Sequence, residues 1–239
     1  MIIIPRRRTT NIVTSGLVLN LDAGNSASYS GIGTTWTDLS GNGNNGTLVN
    51  GPTYTSANGG SIIFDGVNDY VNCGNRASIN FGTGDMTVSA WFKRSSLIAG
   101  GRLYAKGGFA SDAGTTATVG FGAAMGAASV GPGVAPLGSS RVTPAPTTSA
   151  ITVGEWINSV MVLERGVNVR TFKNTTLVGT NTTAVTGSLS GTGNLLLGAS
   201  SITSLFFVGE IANFTLYNRA LTNAEILQNF NALRSRYGL

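Results

Sequence analysis

The chain has 239 residues, enough for one large or two small domains, and 41% of them are hydrophobic against 10% charged. It has no histidine and one cysteine, Cys73, which excludes histidine-based catalytic triads, histidine metal sites, zinc-binding cysteine clusters and an intrachain disulfide. Of the net charge of +5, from 15 basic and 10 acidic residues, Arg6, Arg7 and Arg8 supply three; the remainder, 12 against 10, is not the basic surface of a specific nucleic-acid binder.

In chain order, residues 1–14 read as an extended arm and residues 15–239 as one domain. Ile2, Ile3 and Ile4 precede Pro5 and the arginine triplet. That is too short for a signal-peptide core, and the charges follow it rather than precede it, so a cytoplasmic origin without an export signal is expected. The isoleucines suit strand addition to a neighbouring chain, and Arg6, Arg7 and Arg8 suit carboxylates or phosphates. The arm is therefore expected to dock on another chain.

The first body strand is expected at residues 16–22, where Leu17, Leu19 and Leu21 alternate with Val18, Asn20 and Asp22. Strand signals follow at 35–39, 47–49, 61–65 and 70–73, separated by a Gly/Asn run at 40–46 and a turn at 66–69. Cys73 reads as a small buried hydrophobe. Residues 86–93 alternate cleanly: Met86, Val88, Ala90 and Phe92 share one face, Thr87, Ser89 and Trp91 the other. Residues 101–153 are the least patterned. A strand is expected at 116–121, and Pro132, Pro136, Pro144 and Pro146 confine any others to short edges. The uncharged run 113–140 is too interrupted by Gly, Pro, Ser and Thr to span a membrane.

Strands are expected again at 155–163, 167–172, 177–178 and 194–198. The last, 207–217, carries Gly209, a bulge or a close backbone approach. The period then changes to helical. Thr222 and Glu225 have capping-box spacing, Leu221 and Ile226 fit a hydrophobic staple, and Phe230 and Leu233 continue the stripe. Arg234 and Arg236 suit the last turn, and Gly238 ends it. Regular strands with Gly/Asn turns imply an all-β sandwich of two antiparallel sheets with a short C-terminal helix.

The ordered blocks Trp36 to Gly46, Phe64 to Val71, Thr87 to Trp91, Glu155 to Val160 and Phe207 to Ile226 resemble the laminin-G-like, concanavalin A-like lectin/glucanase superfamily. The resemblance implies a jelly-roll sandwich over residues 16–228. This chain departs from the family pattern at Ala212, where an acid is usual, at Ile157 and Asn158, where histidines are usual, and in the turn at 172–175. Domains of this kind occur in adhesins, in secreted enzymes and in bacteriophage virions. The basic arm and single domain look most like the virion case: a structural or decoration protein anchored to other virion proteins, homo-oligomeric, with a lectin-like surface for a cell-surface glycan. The alternative is a soluble carbohydrate-binding lectin module.

Catalysis is not expected. Glycoside hydrolysis needs two carboxylates facing each other across the sugar, and the closely spaced acids of the family's glucanases have no counterpart here. No cofactor is expected either. Asp22, Asp38, Asp65 and Asp69 lie at strand ends or turns and are weak candidates for calcium, the simpler expectation being that each closes its own turn. For a glycan platform, Tyr29 and Tyr54, beside Ser- and Gly-rich loops, are the candidates. Trp91 and Trp156 are expected in the core.

Overall fold

The computed structural model describes residues 11–97, 100–107, 119–126, 129–138, 140–144, 151–200 and 204–239. The strands are β1 (Leu17–Asp22), β2 (Thr35–Trp36), β3 (Gly46–Val49), β4 (Thr53–Thr55), β5 (Ser61–Asp65), β6 (Tyr70–Asn72), β7 (Met86–Arg94), β8 (Arg102–Gly107), β9 (Gly120–Met125), β10 (Val130–Ala135), β11 (Trp156–Glu164), β12 (Asn168–Lys173), β13 (Thr176–Asn181), β14 (Leu195–Leu197) and β15 (Val208–Tyr217). One helix, α1 (Asn223–Leu233), follows. The larger sheet has the order β13-β12-β11-β7-β15-β5-β4, with β1 also paired to β15; the second runs β10-β9-β8-β14-β6-β3-β2. The paired strands are antiparallel throughout.

The alternation in β7 decides which face goes where. Met86, Val88, Ala90 and Phe92 point between the sheets and join Trp36, Phe64, Tyr104, Phe121 and Phe214 in the main core. Cys73 lies in the same core with its thiol pushed up to about 12 by burial, so it packs as an apolar residue. The opposite face of β7 is also covered. Trp91 is 1% exposed, stacked on Phe230 at 5.3 Å and on Tyr237 at 4.3 Å, with Trp156 beside Tyr237 at 4.7 Å. The terminal helix thus seals the outer face of the larger sheet.

The helix forms where its signals stand. Glu225 N donates to Thr222 Oγ1 and Thr222 N donates to Glu225 Oε2, and Leu221 and Ile226 pack in one cluster. The α-helix ends at Leu233 and tightens into a 3-10 turn over Arg234–Tyr237, which Gly238 ends with φ 72°. Arg236 is drawn away to Asp22. Gly209 is a close approach: a Cβ there would lie 2.4 Å from the Lys93 carbonyl. The irregularity in register comes later, between Ile211 and Asn213. Ala212 is buried in the tryptophan cluster, which leaves no room for a solvated acid.

Two expectations are revised. Residues 11–14 belong to the body, not to an arm. Val13 N donates to Asn229 Oδ1 at 2.8 Å, Tyr217 Oη donates to the Val13 carbonyl at 3.0 Å, and Gln228 Nε2 donates to the Asn11 carbonyl. These bonds strap the entering chain across α1 and β15. Residues 1–10, including Ile2, Ile3, Ile4, Arg6, Arg7 and Arg8, lie outside the described residues. In the least patterned zone the strand runs over β9, later than expected, and β8 and β10 flank it; residues 116–118 lie outside the described residues. Pro132 sits in β10, the edge strand of its sheet, where a missing N–H is tolerated.

Candidate functional site

At one rim of the sandwich, β5, β7 and β9 end and β8 and β15 begin. The connecting segments are tied to one another by backbone bonds: Gly100 N to Met125 O, Arg102 N to Leu205 O and Ser95 N to Val208 O. Between them opens a cavity of about 270 Å³. Phe206, Phe207, Leu205 and Met125 line it with apolar surface, and Asp65 and Arg94 supply charge.

Arg94 continues the inward register of β7 by one step past Phe92, so its guanidinium enters the end of the core. It is 1% exposed, its Nε donates to the Ser96 carbonyl at 2.6 Å and its Nη1 to the Gly126 carbonyl at 3.0 Å. Burial lowers its pKa from the ordinary value, yet a guanidinium stays charged. Asp65 closes its own turn, its Oδ1 accepting from Val67 N at 2.8 Å and from Asn68 N at 3.4 Å, and its exposed carboxylate neighbours that of Asp69. Asp69 Oδ2 accepts from Asp65 N at 3.1 Å, and burial pushes this carboxyl above its usual value.

Backbone geometry shapes the pocket. Gly101 lies against the Phe206 carbonyl, which a Cβ would approach to 2.7 Å, and Gly66 turns at φ 79° against Val208. Leu205, on the pocket wall, is held at φ 56°, a left-handed conformation unfavourable for a branched side chain. Val67 and Leu97, 69% and 52% exposed, sit on the segments that follow Asp65 and Arg94. Concave shape, apolar walls and a few fixed polar groups are the general features of a small-molecule site.

The four aspartates do not converge. Asp22 is bound bidentately by Arg236, Nη1 to Oδ1 at 2.6 Å and Nη2 to Oδ2 at 3.0 Å. Asp38 accepts from Asn20 N, Ser40 N and Asn44 N. Only Asp65 and Asp69 meet, on one turn. Among the described residues no group of three His, Cys, Asp or Glu gathers as metal ligands. The tyrosines need correction as well. Tyr29 is buried, its hydroxyl donating to the Gly33 carbonyl at 2.7 Å, and Tyr54 is half-buried against it at 5.4 Å between ring centres. Neither offers an open platform, because each covers the other against the core. The rim residues Arg94, Leu205 and Phe206 were missed. A cation in the inward register of β7 was the one signal that pointed to them.

Solved structures of similar fold include the binding domain of Paraclostridial Mosquitocidal Protein 1 (TM-score 0.69, 15% identity, 91% of this chain and 52% of that one). The sialidase of Trypanosoma rangeli in complex with sialic acid is similar as well (0.67, 16%, 92% and 33%). So is domain 4 of AbnA, an extracellular arabinanase from Geobacillus stearothermophilus in complex with arabinotriose (0.64, 16%, 90% and 98%). This chain thus spans about half of the first of these structures and a third of the second. Identities this low establish shared fold. No curated protein matches the chain. Among the described residues no helix is long and apolar enough to cross a membrane. The Laminin_G_3 family signature matches residues 65–227, and the chain belongs to the concanavalin A-like lectin/glucanases superfamily.

Proposed function

We propose that the protein is a non-enzymatic bacteriophage virion component, a capsid-decoration or tail-fibre protein, whose lectin-like rim takes up a cell-surface glycan. The observation that carries the binding half is the rim cavity, with the exposed Asp65 carboxylate beside the apolar walls of Phe206 and Leu205. A sugar presents hydroxyls to the carboxylate and C–H surface to the walls. The similar fold of a toxin's binding domain and of an arabinotriose-bound domain supports a binding role. Against hydrolysis, the two rim carboxylates sit on one turn, whereas hydrolysis calls for acids on opposite sides of the scissile bond. No metal requirement is expected, and a chelator should leave glycan binding unchanged.

The anchoring half rests on residues 1–10, three isoleucines and three arginines ahead of a strap pinned to α1. In this reading they join the protein, as a homo-oligomer, to other virion proteins. Deleting residues 1–10 should abolish incorporation into particles while leaving glycan-array binding intact. Undiminished incorporation overturns the anchoring, and what remains is the second reading, a soluble lectin module, which the fold shared with an arabinotriose-bound domain supports. Asp65→Asn should weaken array binding about tenfold, as loss of one charged hydrogen bond does.

A further inference from the structure

A second concavity, a groove of about 330 Å³, crosses the outer face of the larger sheet where β1, the strap at 11–14 and the end of α1 meet. Its floor is an amide pair. Asn20 and Asn213 are 8% and 2% exposed, and Asn213 Nδ2 donates both to Asn20 Oδ1 at 3.1 Å and to the Leu21 carbonyl at 3.0 Å. Both N–H groups of Asn213 are thereby used, and so is the oxygen of Asn20. Asn20 Nδ2 and Asn213 Oδ1 are left, one donor and one acceptor side by side, without a protein partner among the described residues. Neither atom is sealed off from solvent, and both lie on residues that line the groove, so a ligand entering it can reach them.

The walls decide what fits. Asp22 and Arg236 form a bidentate pair, and Asp22 Oδ1 also accepts from Gly24 N at 3.0 Å. The guanidinium opposes a metal cation, and the carboxylate opposes a phosphate. Ile12, Leu39 and Leu233 add apolar surface. A neutral ligand carrying adjacent hydroxyls matches the floor: one hydroxyl accepts from Asn20 Nδ2 and the same or the next donates to Asn213 Oδ1.

We infer that this groove is a second glycan subsite, specific for a neutral sugar and separate from the rim. It does not rest on the rim reading. The test is a titration of the full chain with methyl glucoside, methyl galactoside, methyl mannoside and arabinotriose, following the side-chain amide NMR signals of Asn20 and Asn213. A saturable shift with at least one sugar is expected, with a dissociation constant on the order of 1 mM. Asn20→Ala should weaken it about tenfold, and Asp65→Asn should leave it unchanged. Absence of any saturable shift in the wild-type chain overturns the subsite, and shows that only water meets these amides. An Asn213 shift of undiminished affinity in folded Asn20→Ala overturns it too. A response at the groove with none at the rim would sink the rim reading alone.

Discussion

The helix-bearing face and the loop rim are built on opposite principles. On the helix-bearing face, side chains hold side chains: Trp91 between Phe230 and Tyr237, Glu225 on Arg219 at 2.9 and 2.6 Å, Asn229 on Tyr217. At the rim, side chains are held by backbone: Arg94 by the carbonyls of Ser96 and Gly126, and Asp65 by the amide of Val67. Large aromatic burial should dominate stability, whereas at the rim the Asp65 carboxylate stays exposed, where a ligand can reach it. The contrast predicts that stability and binding respond to different substitutions.

The largest expected effect is on the helix-bearing face. Trp91→Ala should remove about 3–5 kcal/mol, the range for truncating a buried aromatic, because two rings lose their stacking partner. Urea unfolding gives the value directly. A loss below about 1 kcal/mol would mean the helix does not seal the sheet.

Next in size is the buried cation at the other end of β8. Lys106 Nζ donates to Asn75 Oδ1 and to the Gly193 carbonyl, each at 2.7 Å, and to the Gly191 carbonyl at 3.4 Å. Among the described residues no carboxylate pairs with it, and burial lowers it from 10.5 to about 8. Because the folded value is the lower one, the unfolded chain holds a proton that the folded chain has lost once pH passes that point. Stability should therefore rise with pH from 8 to about 9.5, below the onset of tyrosine ionisation, by on the order of 2 kcal/mol. Unfolding curves across this range should show the rise in the wild type and a flat response in Lys106→Met.

How much of this could be read from sequence follows the same division. The β7 alternation, the Thr222–Glu225 box and the Leu221–Ile226 staple were legible because they are local patterns with fixed spacing. β8, β9 and β10 were not. The Gly and Ala residues of β9 and β10 carry little hydrophobic pattern, β8 sets two cations among its apolar residues, and all three are held as strands by their neighbours' ladders. Asp22 illustrates the limit for sites. Its place at a strand end was visible, but its partner Arg236 is 214 residues away. The strap misled for the same reason: Val13 has no local partner and finds Asn229 and Tyr217 only in the folded chain.

A smaller effect tests the cap. Thr222→Ala should cost about 1 kcal/mol, since it removes the acceptor of the Glu225 amide and the hydroxyl donor to Glu225 Oε2, leaving only the backbone half of the box. Rim binding should not change. A change in affinity at the rim would show that helix and rim are coupled.

The smallest expected stability effect belongs to Leu205→Gly, and it sharpens the contrast most. Leu205 is held at φ 56°, where a branched residue is strained by roughly 1–2 kcal/mol. Glycine relieves that strain, but it adds about 0.5–1 kcal/mol of unfolded-state entropy and removes a half-buried side chain. These terms nearly cancel, so the unfolding midpoint should barely move. The pocket wall nevertheless loses one of its apolar sides, and glycan affinity should fall several-fold in a binding titration. A strained residue whose replacement leaves stability unchanged and binding impaired is held in place for the ligand. If stability fell as sharply as for Trp91→Ala, the rim would belong to the same packing unit as the helix-bearing face, and the division between them would fail.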